Sequence, residues 1–259
     1  AVMEIEGKTI IVTGGASGLG AATAKYLRAR GAKIGIFDMS QGAGDALVKE
    51  LGASNAMFCN VDVTDDEGVD AAVDAVVSKF GALHGCINCA GVVSPMKVID
   101  RDGKAASLDT FRRTVDINLV GTFNVMSKAV QRMLLNEPEN GEERGVVVNV
   151  SSGAAMEGQI GQPAYSSSKA GVMGLNLPAA RELGAKGIRV NAIAPGLFGT
   201  PMVMSLPDNV IANLEASVEA PKRVGRMEEF AHCCAFLIEN SYMNGETVRL
   251  DAATRLQAR

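Results

Sequence analysis

Seven short apolar runs divide the chain, and a helix-length stretch follows nearly every one. Residues 8–13, 33–37, 55–60, 83–89, 145–150, 188–194 and 246–250 read as strands, because their apolar residues are near-continuous rather than alternating. A strand that is apolar on both sides must be covered on both faces, which calls for a parallel sheet between two helical layers. Helices are expected at 18–30, from the second strand to about residue 51, at 65–80, as one long helix over about 108–135, and at 163–183. No internal repeat or linker interrupts the alternation. The expected fold class is α/β: a single domain, 1–259, built on a Rossmann-type doubly wound parallel sheet of about seven strands.

The turn after the first strand reads Thr13-Gly14-Gly15-Ala16-Ser17-Gly18-Leu19-Gly20. Gly14, Gly18 and Gly20 let the backbone turn tightly and come close to a pyrophosphate at the helix N-terminus. Asp38 ends the second strand, near the distance expected for a carboxylate that accepts both ribose hydroxyls. Such a carboxylate favours NAD and repels the 2′-phosphate of NADP, and no basic residue stands at Ser17 or Met39 to offset it. The ordinary alternative for Asp38 is a helix N-cap.

A second constellation surrounds the fifth strand. That strand runs out at Ser151-Ser152, and Tyr165 and Lys169 follow four residues apart behind Pro163, a residue suited to a first helical turn. Four residues place phenol and ammonium on one helical face. An ammonium beside a phenol favours the phenolate, so the phenol is expected below its usual value of ~10. With a serine hydroxyl from the neighbouring strand end, this makes an acid/base site for a secondary alcohol or its ketone. A Tyr-x-x-x-Lys pair on a solvated helix face is the ordinary alternative.

Other chemistries find little support. Charged residues make up 21% of the chain and the net charge is -4, so there is no electrostatic footprint for autonomous nucleic-acid or membrane binding. No apolar run reaches transmembrane length and no signal peptide is visible, which leads to the expectation of a cytoplasmic protein, or a mitochondrial-matrix one if a targeting segment was removed. The five cysteines are irregularly spaced; Cys86-Ile-Asn-Cys89 fits C-x-x-C but reads as small core residues at the end of an apolar run. His84 and His232 stand far apart, so no metal site and no Ser-His-Asp triad is expected.

Taken in order, TGGASGLG, Asn88-Cys89-Ala90-Gly91, Asn118, Ser152, Tyr165-x-x-x-Lys169 and Pro195-Gly196 resemble the pattern of the short-chain dehydrogenase/reductase family over essentially the whole chain. Within it, SKFGALHGCINCAG, NEPENGEERGVVVN, EGQIGQPAYSSSKAG and RVNAIAPGLFGTPM resemble the type 2 3-hydroxyacyl-CoA dehydrogenase branch, whose members also act on hydroxysteroids. The resemblance implies a homotetramer, with the helices at 108–135 and 163–183 in one interface. It implies Tyr165 as the acid/base, Lys169 as its partner and a ligand of the nicotinamide ribose, and Ser152 as the residue that orients the substrate oxygen. Ser151 is one residue off the required spacing. Asn118 is implied to hold a relay water, a helix-kink residue being its alternative. Ser17 and Leu19 join the glycines at the pyrophosphate. Asp62 and Val63 flank the adenine, Cys89, Ala90 and Gly91 pass beneath the adenosine ribose, and Phe198 and Thr200 follow Pro195-Gly196 toward the nicotinamide.

Some positions depart from that pattern. Cys89 stands where many relatives have asparagine, Asn149-Val150 differs from some close relatives, and Leu250-Asp251-Ala252-Ala253 lacks a glycine that relatives often carry. The last is expected to affect contacts between subunits rather than the chemistry. The expected substrate walls are 92–107, 156–162 and 197–226. Lys97, Arg101 and Lys104 are candidates for the phosphates of coenzyme A, against a solvated loop. Met202, Met204 and Leu206 read as an apolar lid, against core packing. The expected function is an NAD-dependent dehydrogenase acting on 3-hydroxyacyl-CoA or hydroxysteroids. The alternatives are a 3-oxoacyl-carrier-protein reductase and a scaffold subunit of the kind some relatives provide in a tRNA-processing assembly.

Overall fold

The computed structural model describes residues 3–258. Seven parallel strands lie in one sheet: β1 (Thr9–Thr13), β2 (Lys33–Asp38), β3 (Ala56–Asn60), β4 (Gly85–Asn88), β5 (Gly145–Val150), β6 (Ile188–Pro195) and β7 (Thr247–Leu250). Their order is β3-β2-β1-β4-β5-β6-β7. The chain works outward from β1 to β3, then returns to pair β4 with the other side of β1, Ile10 opposite Gly85. That reversal leaves a crevice at the carboxyl ends of β1 and β4.

Successive strand residues feed opposite layers. Ile10 and Val12 pack with the cluster that includes Leu27 and Phe230, whereas Ile11 packs with Val73, Val125 and Leu183. In β5, Val146, Val148 and Val150 face the first layer and Val147 the second. This is why the strands read as continuous apolar runs. Each such side chain contributes roughly 1.5–3 kcal/mol by leaving water. The first layer carries α1 (Gly18–Ala29), α2 (Gln41–Leu51) and α9 (Met227–Glu239). The second carries α3 (Asp66–Phe80), α5 (Gly121–Met133) and α6 (Pro163–Gly184).

The expected long helix at 108–135 is broken. It comprises α4 (Leu108–Val115), a π-helical turn Asp116–Val120, and α5. Asn118 lies inside that turn, fully buried, and spends its side chain on a neighbouring loop: Oδ1 accepts from Val92 N at 2.8 Å and Nδ2 donates to Val92 O at 2.9 Å. The segment after β6, expected as a loop and one helix, carries two short helices before α9: α7 (Pro201–Met204) and α8 (Asp208–Ala216).

The charged stretch 137–144 has a buried anchor. Glu143 is 8% exposed and pairs with Arg189 at the start of β6. The remaining guanidinium donors go to the carbonyls of Leu237, Ile238 and Met243, so Arg189 caps the end of α9. Among the described residues, no helix is long and apolar enough to cross a membrane.

Candidate active site

A cavity of about 690 Å³ opens at the carboxyl edge of the sheet. Its first wall is the glycine turn. Ala16 N donates to Asp38 Oδ2 at 3.1 Å, and Ala90 N donates to Thr13 Oγ1 at 3.0 Å, so the ends of β1, β2 and β4 hold the turn in place. A Cβ on Gly20 would stand 2.1 Å from Gly14 O, so only glycine lets α1 start this close to the turn.

The N-terminus of α1 suits an anion. Ser17 makes no side-chain cap, and no acidic residue lies in the first turn. By contrast α3, starting at the same edge, is capped by Asp65, which accepts from Gly68 N, and carries Asp66 and Glu67 in its first turn. Free N–H groups and the helix dipole at α1 favour a phosphate; at α3 those groups are already satisfied.

Asp38 is not a helix N-cap: Ser40 holds that position, and Asp38 Oδ1 takes the N–H groups of Met39 and Ser40. It lines the cavity together with Gly14, Ser17, Leu19 and Gly20. Asp62 and Val63 line the same end. Two hydrogen bonds from Thr64 hold the Asp62 carboxyl below its ordinary value, and Asn124 Nδ2 fixes Val63 O at 2.8 Å. Cys89, Ala90 and Gly91 form the floor, and Pro195, Gly196, Phe198 and Thr200 the far wall. A side chain on Gly91 would meet Asn118 Oδ1 and Lys169 Nζ, both 3.2 Å from its Cβ. The floor is thus pressed against Asn118 and Lys169. Asn118, fully buried, stands behind the cavity wall, and Gly18 lies between the lining residues Ser17 and Leu19 without lining the cavity itself.

Ser152, Tyr165 and Lys169 line the cavity together. Pro163 opens α6, and the first turns of that helix present Tyr165 and Lys169 toward the end of β5. A hydrogen bond from Ser152 favours the phenolate of Tyr165, whereas Ser151 is buried and donates instead to Lys169 O at 2.7 Å. Both serines line the cavity, and the Ser151 hydroxyl is the one spent on the helix backbone.

The expected shift of the phenol is overturned. Tyr165 lies above its ordinary value, because burial outweighs the Ser152 hydrogen bond. The Lys169 ammonium points to Val150 O at 2.9 Å, and its Nζ lies 5.9 Å from the centre of the Tyr165 ring. Burial brings Lys169 itself down to about 8. Helical spacing gave the neighbourhood of the two groups but not the direction of the ammonium.

Asn118 joins this cluster from behind, donating from Nδ2 to Ser168 Oγ at 3.0 Å, one residue before Lys169. Cys86, on β4, and Cys89, just past its end, face opposite layers. Burial pushes both thiols up to about 12. His84 accepts from Thr9 N, and His232 packs edge-on to Tyr26; neither lines this cavity.

Several expected substrate residues fall elsewhere. Lys97 lines a separate hollow with Val98, Ile99 and 158–163, while Arg101 and Lys104 line neither. Met202 and Val203 reach the main cavity; Met204 and Leu206 do not. Met202, Met204 and Leu206 are 71%, 54% and 38% exposed, which rules out core packing for them. The sequence reading missed Arg113, Arg249, Asp251, Thr254 and Leu256, all of which line the cavity. The last four flank Ala252 and Ala253, which do not themselves line the cavity. Their one signal in the sequence was the missing glycine at Ala252-Ala253.

The short chain dehydrogenase family model matches residues 8–210. The chain belongs to the short-chain dehydrogenase family. Membership makes it an oxidoreductase with a nicotinamide cofactor, and the uncapped α1, the close-packed glycine floor and the cavity-lining carboxylate of Asp38 fit that cofactor. The chain is 45% identical over 258 residues to human 3-hydroxyacyl-CoA dehydrogenase type-2, covering 99% of this chain and 98% of the relative. It is 34% identical to a 3-oxoacyl-[acyl-carrier-protein] reductase of Thermotoga maritima, covering 96% and 98%. The crystal structure of 3-hydroxyacyl-CoA dehydrogenase type-2 from Mycobacterium avium superposes with a TM-score of 0.93 at 41% identity, covering 97% of each chain.

Proposed function

We propose that this protein is an NAD-dependent dehydrogenase that interconverts 3-hydroxyacyl-CoA and 3-oxoacyl-CoA, with hydroxysteroids as further substrates. The observation that carries the reading is the meeting of Ser152, Tyr165 and Lys169 at one end of a cavity whose other end holds Asp38. The nicotinamide, when bound, supplies the hydride chemistry. The chain's own residues handle the proton. In reduction, the Tyr165 hydroxyl donates to the ketone oxygen while Ser152 orients it; in oxidation, the phenolate takes the alcohol proton. Lys169 holds the nicotinamide ribose, and its ammonium, once turned from Val150 O, favours the phenolate. Asn118 positions the floor at Val92 and the helix at Ser168. Asp38 accepts the adenosine ribose hydroxyls and selects NAD.

Lys97 beside the hollow at 158–163 is the basic residue best placed for a coenzyme A phosphate. A homotetramer is supported by Leu108, Val120, Phe123 and Leu177, large apolar residues that α4, the π-turn, α5 and α6 leave exposed. Light scattering is expected to give four chains, and a monomer at working concentration contradicts it. The carrier-protein reductase is the second reading, favoured by the Thermotoga relative and opposed by Asp38. Turnover of acetoacetyl-CoA, an acyl-carrier-protein thioester and a ketosteroid, each with NADH and with NADPH, separates the two. Preference for NADH with acetoacetyl-CoA is expected; preference for NADPH with the carrier-protein thioester overturns it.

A further inference from the structure

The polar C-terminal tail is built into the cavity. After β7 the chain turns through Ala252 and Ala253, both in the left-handed region at φ 49° and 60°. Side chains with a Cβ rarely adopt that conformation, so the surroundings must hold it. Gly196 shows how close the turn lies: a Cβ there would be 2.6 Å from Asp251 Cβ.

What holds the turn is a clasp centred on Arg249. Its guanidinium grips Glu157 with two hydrogen bonds, at 2.7 and 3.2 Å, and donates from Nε to Asp251 Oδ2 at 2.7 Å. Glu157 Oε2 also accepts from Leu256 N at 3.0 Å, and Arg255 bridges both carboxylates. Further along, Ile160 N donates to Ala258 O at 3.0 Å. These bonds fasten the tail to the loop that joins Ser152 to Tyr165. On its other side, the Ala252 carbonyl accepts from Glu219 N and Ala220 N in the segment after α8.

The clasp has a consequence for the cavity. Thr254 and Leu256 line it, as do Met202 and Val203, while Asp251 lines it beside Gly196. Thr254 is 3% exposed, and its hydroxyl has no hydrogen-bond partner among the described residues. We propose that residues 251–256, clasped by Arg249 and Glu157, form a specificity-determining wall that limits the length of the group carried beyond the reacting carbon. The proposal rests on the reading of Tyr165 and Ser152 as the reacting end. Leu256 is then a substrate-contacting residue and Glu157 a positioning residue that acts through the tail.

The test uses the full chain, NADH and a series of 3-oxoacyl-CoA substrates from four carbons upward. Leu256→Trp is expected to raise KM for long chains by about 10-fold or more relative to the four-carbon substrate, a discrimination of the size a filled apolar pocket gives. Glu157→Gln is expected to raise KM for the longer substrates several-fold, with kcat and the KM for NADH little changed. Glu157→Asp, which keeps the charge, is expected to restore part of the loss. Trypsin supplies a readout apart from turnover: a long-chain 3-oxoacyl-CoA should slow release of the peptide after Arg255. Active variants with an unchanged chain-length profile, or a tail cut equally fast with and without that ligand, overturn the wall. A wild type that binds and protects its tail but reduces no ketone with NADH overturns the reaction instead.

Discussion

Arg189 and Arg249 stand on the neighbouring strands β6 and β7, and each grips a glutamate. At the start of β6, Arg189 and Glu143 are almost fully buried, and every further guanidinium bond goes to a backbone carbonyl at the end of α9 or just beyond. At the end of β7, Arg249 and Glu157 are each about one-fifth exposed, and their partners belong to a tail that borders the cavity. One edge of the sheet is closed by its ion pair, the other is shaped by it. A buried pair that loses one member strands a charge out of water, whereas a partly exposed pair is relieved by solvent. The same chemistry should therefore govern stability at one edge and substrate choice at the other.

The largest expected effect breaks that contrast directly. Arg189→Met should cost about 3–5 kcal/mol in denaturant unfolding, by leaving Glu143 and three carbonyls uncompensated. The protein that remains folded should keep its KM values. Arg249→Met should cost no more than about 1 kcal/mol. Equal losses at the two sites would erase the distinction.

Asp38→Ala sharpens the account at the cofactor end. Loss of a charged acceptor is worth about 1.5–3 kcal/mol, so NAD affinity should fall by roughly one to two orders of magnitude while NADP gains relative to it. The unfolding midpoint should move less, because only the Ala16, Met39 and Ser40 N–H bonds are released. Steady-state kinetics with both dinucleotides reads the first effect, and thermal melts read the second.

Ala252→Gly has the smallest expected effect. Relief of the left-handed backbone is worth about 1–2 kcal/mol, and the added freedom of the unfolded chain offsets about 0.4–1 kcal/mol of it. A net gain below about 1.5 kcal/mol, read by denaturant unfolding, is expected. A loss of stability would show that the clasp does not hold the alanine against strain.

Much of the closed edge and the cofactor end is legible in the sequence. Strands that feed two layers must be apolar at every position, so their runs stand out, and Gly14 to Gly20 carries its own conformational signature. The misses arise where a long-range contact overrides a local pattern. The stretch Asp116–Val120 holds mostly weak helix formers, and a kink at Asn118 is one reading of it, but no local pattern says that the Asn118 side chain will take up the backbone of Val92. Tyr165 and Lys169 are spaced to be neighbours, yet only the fold directs the ammonium to Val150 O and buries the phenol. The tail has no periodicity at all; its place depends on Glu157, which lies more than ninety residues earlier. Glu143 is likewise indistinguishable from its solvated neighbours until Arg189 is set beside it.

The central claim is that Tyr165 moves the proton, and the pH dependence of alcohol oxidation in the wild type and in Tyr165→Phe tests it most directly. Oxidation uses the phenolate, so the wild-type rate should rise with pH; reduction uses the neutral phenol and should fall over the same interval. In the free protein, where burial holds the phenol above its ordinary value, the ultraviolet titration of Tyr165 should be displaced to the alkaline side of an ordinary tyrosine's. Tyr165→Phe should lose that step and about 10²–10⁴-fold in rate, with NAD binding kept. A Tyr165→Phe variant that binds NAD and still oxidises the alcohol at the wild-type rate, with the same pH profile, would contradict the account.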